Sequence, residues 1–132
     1  GFYTVLVEGD DTNEPISDTV RGILDGHVVL SRSLAMRNQY PAIDVLASIS
    51  RLMNEIADPE HLKMASTLRS VLSNYYENAD LISIGAYKAG SNPKIDHAIA
   101  NIDKINAFLR QEINEKLTWE ETMQQMQKVA GK

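Results

Sequence analysis

Two residues in the stretch from Gln39 to Met53 carry the chemistry to meet a nucleotide. Arg51 has a planar guanidinium with five donors in a rigid fork, the shape that meets phosphate oxygens in pairs. Tyr40 offers a ring on which a base can stack, and Pro41 punctuates the chain after it. An aromatic, a proline, a short apolar run and then a single cation is an unusual order for a plain core segment. The same residues also admit a purely structural reading. Ile43, Val45, Leu46, Ile49 and Leu52 recur at helical intervals, which predicts a short amphipathic helix with Arg51 as a surface cation.

The elements that must position these residues are legible on either side. Phe2 to Val7 is an unbroken β-branched and aromatic run, the pattern of a strand buried on both faces of a parallel sheet. A central strand so close to residue 1 lacks neighbours, which hints that the chain is a fragment of something larger. Glu8 to Glu14 is an acidic loop at that strand's carboxyl end, where ligands bind in parallel sheets. Asp10 and Asp11 there suit helix capping before Pro15 better than metal chemistry. A helix over Pro15 to Leu24 ends at Asp25-Gly26, His27 to Leu30 reads as a second buried strand, and Ser31 to Asn38 as another short helix.

The pattern turns wholly helical at Asp58-Pro59, a cap followed by proline at the first helical position. Leu62, Ala65, Leu68, Leu72, Tyr75 and Ala79 mark one face of a long helix. The loop from Gly85 to Asn92 sets two glycines around Tyr87 and Lys88. No Gly-Lys-Ser/Thr closes a P-loop there or elsewhere. Asn92-Pro93 starts a second helix with Ile95, Ile99, Ile102, Ile105 and Leu109 inward. Thr118 and Glu121 form a capping box for a third, whose Trp119, Met123, Met126 and Val129 read as core.

Composition narrows the function. The chain has 132 residues, enough for one domain with a core or part of a larger one, and a net charge of −5 that disfavours nucleic acid as a main partner. There is no cysteine, so disulfides and thiolate metal sites are excluded. His27, His61 and His97 lie too far apart in sequence for metal motifs and read as exposed or capping residues. No apolar run approaches membrane-spanning length, and the start lacks the charge of a signal peptide.

Three segments together, residues 2–11, 23–32 and 40–51, resemble the type III secretion ATPases in order and spacing. Residues 84–93, Ile-Gly-Ala-Tyr-Lys-Ala-Gly-Ser-Asn-Pro, are most similar to the flagellar export branch. The resemblance covers essentially the whole chain. It implies an α/β remnant, residues 1–57 at the end of a RecA-like P-loop NTPase domain, followed by an all-helical C-terminal domain over residues 58–132. It places residue 1 beyond the Walker A and Walker B segments, so this stretch alone is expected to be inactive. ATP and Mg2+ are then cofactors of the full-length parent, with neither bound tightly by this chain.

Matched residue by residue, the resemblance makes Arg51 the arginine finger that reaches into the neighbouring subunit's nucleotide site. Tyr40 becomes the aromatic that stacks on adenine, and Tyr87 a second stacking ring; a packing tyrosine in an exposed turn is the structural alternative for Tyr87. A finger is worth roughly 10³ to 10⁵ in rate in other phosphoryl-transfer systems. The resemblance further implies a homo-hexamer in the cytoplasm, peripheral to the inner face of the cell membrane, that drives flagellar or type III protein export. Its partners would be stalk and regulator proteins, export chaperone-substrate complexes and the export gate. The alternative is a helical docking module for those complexes or for the stalk, with no activity by itself. Incomplete as it is, the sheet of residues 1–57 is expected to expose apolar edge surface and to self-associate or rearrange.

Overall fold

The computed structural model describes residues 1–7, 9 and 14–131; Asp10 and Asp11 lie outside them. The order among them is α1 (Pro15–Ile23), β1 (Gly26–Leu30), α2 (Arg32–Met36), β2 (Ile43–Ser50), α3 (Met53–Ile56), α4 (Pro59–Glu77), α5 (Ala79–Ser83), α6 (Pro93–Leu109) and α7 (Trp119–Ala130). A small sheet with short helices is thus followed by a helical bundle.

Local chemistry sets most boundaries. Asp58 accepts the His61 backbone N–H at 2.8 Å, with Pro59 filling the first helical position. Asn92 caps α6 through the Lys94 N–H at 3.0 Å, again ahead of a proline. Thr118 and Glu121 close the reciprocal capping box of α7. Helix α2 ends where Asn38 takes a left-handed φ of 57°, a conformation that asparagine tolerates.

The sheet corrects two expectations. Phe2 to Val7 forms no strand: Phe2, Tyr3 and Leu6 stand exposed, because β1 and β2 pair with each other and no described strand is left to ladder with this segment. Ile43 to Ser50 is a strand rather than an amphipathic helix, antiparallel to β1. The second strand reading, at His27 to Leu30, holds, but Val28 and Leu30 face outward, so β1 is half-buried and not central.

The β1–β2 register explains why periodicity misled. Gly26 pairs with Ser50 and His27 with Ile49, then Val29 pairs with Asp44 and Leu30 with Ile43. Two steps along β1 therefore match five along β2, and the excess residues of 45–48 loop out. Asp44 holds this excursion by accepting the Leu46 and Ala47 N–H groups at 3.0 Å each. Ser48 completes it, its hydroxyl donating to the Asp44 carbonyl at 2.6 Å and accepting the Val29 N–H at 3.0 Å. Gly26 is required at the ladder's end, since a Cβ there would come 2.8 Å from the Ile49 carbonyl oxygen.

The core lies in the bundle. Leu68, Val71 and Leu72 of α4 meet Ala98, Ile102 and Ile105 of α6 and Met126 of α7. Ala98, with no exposed surface, lets α4 and α6 approach closely. Val45 and Leu46 of the looped-out segment pack against the same cluster, joining the sheet to the bundle. Trp119 is a correction: it is 63% exposed and, among the described residues, pairs with the His61 ring edge-on at 5.4 Å. It shares a face with Met123 and Met126, but α4 buries nothing before Leu68, so the stripe outruns its partner. Met126 is buried and Met123 half-buried as core reading requires.

Candidate nucleotide-facing site

Strand β2 carries the two foremost candidates beyond its opposite ends. Four steps of β1 separate Gly26 from Leu30, so their partners Ser50 and Ile43 stand only about 13 Å apart. Tyr40 lies outside one end of this ladder and Arg51 outside the other.

Tyr40 is 54% exposed, and its ring makes no pair with Tyr87 or any other aromatic among the described residues. Its backbone is anchored from the bundle: the Gln111 N–H, just after α6, donates to the Tyr40 carbonyl at 2.8 Å. Gln39 beside it is buried and donates its N–H to the Leu34 carbonyl at 3.0 Å. An open ring on a fixed backbone can take a planar base at little cost in ordering.

Arg51 is also exposed at the side chain and held at the backbone. Its N–H donates to the Asp25 carbonyl at 2.8 Å, continuing the β1–β2 pairing by one rung. Its guanidinium Nη2 donates to the Gly22 carbonyl oxygen at 3.2 Å, near the end of α1. No carboxylate pairs with it among the described residues, so its charge is available to an incoming anion.

Tyr87 is the most engaged of the three. Its hydroxyl stands 2.9 Å from Asp96 Oδ1 and 3.0 Å from the Asn92 carbonyl oxygen, and accepts the Asn92 N–H at 3.2 Å. One phenolic proton serves two acceptors, of which the carboxylate is the stronger. Both Asp96 oxygens also accept the Gly90 N–H, at 3.1 and 3.0 Å, and Gly90 holds a φ of +86° that admits the turn. The hydroxyl thus staples the 85–92 loop onto the first turn of α6 while the ring stays half-buried.

Two residues that tie the β2 segment to the bundle carry no sequence signal. Arg69, on α4 beside the buried stripe, donates to the carbonyls of Val45 at 2.7 Å, Leu46 at 3.1 Å and Ser48 at 3.3 Å. Gln111 acts through a backbone amide that every residue but proline possesses. Their acceptors are backbone carbonyls, so no complementary side chain marks them.

For ATP the fit is to its two ends, an open ring at Tyr40 and an open guanidinium at Arg51. For Mg2+ the described residues supply no ligand set, with no cluster of three His, Asp or Glu side chains among them. Nor is any described helix long and apolar enough to cross a membrane.

A sheet remnant with these two groups, docked on a capped helical bundle, has the layout of an ATP-synthase-like ATPase. Residues 1–50 match the ATP synthase alpha/beta family, nucleotide-binding domain. Residues 57–128 match the T3SS EscN ATPase C-terminal domain, and the chain belongs to that family. It is 52% identical over 130 residues to the flagellum-specific ATP synthase of Bacillus subtilis strain 168, covering 98% of this chain and 30% of that one. It is 50% identical over 130 residues to the type 3 secretion system ATPase of Sinorhizobium fredii, covering 98% and 29%. The assembled ATPase EscN of the enteropathogenic E. coli type III secretion system superposes with a TM-score of 0.92 at 42% identity, over 98% of this chain and 31% of that chain. The chain therefore spans less than a third of the length of these relatives.

Proposed function

We propose that this chain is the C-terminal portion of an ATPase that energises flagellar or type III protein export, and that Arg51 acts on the nucleotide of a neighbouring subunit. Residues 1–57 would close the RecA-like domain and residues 58–132 form the helical C-terminal domain. The carrying observation is the placement of Tyr40 and Arg51 beyond opposite ends of the β1–β2 ladder, with Arg51 exposed and free of any carboxylate among the described residues. Groups at opposite ends of one ladder can each face a different nucleotide. Each nucleotide in a ring would then have its base on one subunit's Tyr40 and its terminal phosphate facing the next subunit's Arg51.

Bound ATP with Mg2+ would supply the γ-phosphoryl group that water attacks. Arg51 would bring its fork to the charge that develops on the phosphoryl oxygens, and Tyr40 would hold the base by its ring face. Tyr87 would close over the base from the bundle side, its orientation set by Asp96. A finger supplied by a neighbour makes hydrolysis depend on assembly, in agreement with a homo-hexameric ring in the cytoplasm at the membrane-bound export gate.

A docking role for the bundle is the second reading, favoured by the apolar surface of Ile113, Leu117 and Trp119, all exposed around the start of α7. A relative, EscN, is known in complex with its central stalk EscO. Stalk, regulator and chaperone-substrate complexes are the partners such a surface would meet.

The test is ATP turnover of the full-length protein with Arg51→Ala, alone and mixed with a variant lacking the P-loop lysine. Each variant alone should be inactive and the mixture should regain turnover, because the lysine variant still carries an intact finger. Normal turnover by Arg51→Ala would leave Arg51 a surface cation and favour the docking reading.

A further inference from the structure

We propose that Arg69 is a positioning residue for Arg51, through which the helical domain sets where the finger stands. The inference rests on the trans-acting reading of Arg51 given above. Looping out of residues 45–48 takes their carbonyls off the β1 ladder and leaves acceptors without partner amides. Three of them, on Val45, Leu46 and Ser48, converge on the single guanidinium of Arg69 at 2.7 to 3.3 Å. Asp44 shapes the excursion from within and Ser48 ties it to Val29 of β1, whereas Arg69 ties it by side-chain hydrogen bonds to the helical bundle among the described residues.

The mechanical consequence follows from the two ends of this contact. Arg69 sits one residue from Leu68 on the longest helix, whose Leu68, Val71 and Leu72 are buried in the core. Arg51 sits three residues beyond Ser48, with only the Ile49 and Ser50 rungs between. No ion pair diverts the Arg69 charge among the described residues, so its donors are committed to these carbonyls. A rigid five-donor fork holds several acceptors in one plane, which a lysine ammonium on a flexible stem does not. Loss of the fork would leave the excursion packed through Val45 and Leu46 but free to shift along α4, and Arg51 would shift with it. Catalysis by a positioned charge is steep in such displacements.

The experiment compares Arg69→Gln, Arg69→Lys, Arg51→Ala and the Arg51→Ala/Arg69→Gln double variant in the full-length ATPase. Arg69→Gln should lower kcat by about tenfold or more while KM for ATP stays unchanged, and should add nothing to Arg51→Ala. Mixed with the P-loop lysine variant, Arg69→Gln should regain turnover, since the finger it lacks is supplied in place by its neighbour. A merely structural role would not be rescued in that way. Arg69→Lys, which keeps the charge and the aliphatic stem, should show the same kcat loss at an unchanged melting temperature, and decides the matter if Arg69→Gln does not fold. Full kcat in Arg69→Lys, multiplicative losses in the double variant, or no rescue by mixing would each overturn the inference. If Arg51→Ala complements and Arg69→Gln does not, the positioning role fails alone; if Arg51→Ala turns over normally, the finger reading fails first.

Discussion

Arg51 Nη2 lies 3.2 Å from the carbonyl oxygen of Gly22, so the proposed finger rests on its own subunit against a neutral acceptor at the end of α1. The contact is exposed, long for a hydrogen bond, and favoured by the negative end of the helix dipole, which together is worth well under a salt bridge in a dry site. Release toward a phosphate therefore costs little. Arg51→Ala should change the unfolding free energy by less than about 0.5 kcal/mol, read as an unchanged midpoint in urea. Any loss of turnover in that variant is then a loss of chemistry and not of folded protein.

Tyr87 separates a ring from a hydroxyl. Tyr87→Phe keeps the ring but removes the bond to Asp96, and should cost the helical domain about 1 kcal/mol. Asp96→Ala should cost more, about 1 to 3 kcal/mol, because the Gly90 N–H and the Tyr87 hydroxyl both lose their acceptor. If the ring stacks on a base, Tyr87→Phe keeps KM for ATP near wild type and Tyr87→Ala raises it. Equal KM in both variants would leave Tyr87 as a staple for the 85–92 loop.

How much of this could be read from sequence depends on how local the physics is. Asp58-Pro59, Asn92-Pro93 and the Thr118–Glu121 pair placed three helix starts correctly, since a cap and its N–H lie within one turn. The inward stripe of α6 was legible at Ile95, Ile102 and Ile105, while Ala98 was too small to stand out and Ile99 proved partly exposed. Ile43 to Ser50 misread as a helix because the looped-out residues break the two-residue alternation, leaving Val45 and Leu46 adjacent and both directed at the core cluster. Phe2 to Val7 has strand chemistry without a strand, because propensity cannot supply a ladder partner. Tyr40 and Arg51 were marked by residue type and by family resemblance, yet the bonds that hold their backbones, from the Gln111 N–H to the Tyr40 carbonyl and from the Arg51 N–H to the Asp25 carbonyl, join main-chain atoms and leave no trace in residue identity.

Ile105 is 1% exposed and sits at the meeting of α4, α6 and α7. Ile105→Val should destabilise by about 1 kcal/mol and Ile105→Ala by about 2 to 5 kcal/mol, the range reflecting how far the helices close over the cavity. Both should lower the denaturation midpoint with little change in slope. A cost for Ile105→Ala under 1 kcal/mol would mean that the bundle is looser than this packing implies.

Glu121 gives the bundle a pH-dependent start to α7. Its carboxylate accepts the Thr118 N–H at 2.8 Å and its own N–H donates to the Thr118 hydroxyl at 3.2 Å. The backbone bond first and the threonine side chain second hold its pKa below the usual glutamate value of 4.5. A folded-state pKa below the unfolded one means that the folded chain binds fewer protons across the interval between them. Stability from this cap is therefore fully present above about pH 4.5, and is lost as pH falls through the lower folded value. Glu121→Gln removes the titrating group, so its stability should fall less steeply between neutral pH and the acid range than that of the wild type. Helix content near Trp119, followed by the indole fluorescence, should fade on acidification in the wild type before the core around Ile105 opens. Identical acid profiles for wild type and Glu121→Gln would show that the bond to Thr118 contributes nothing to holding α7 in place.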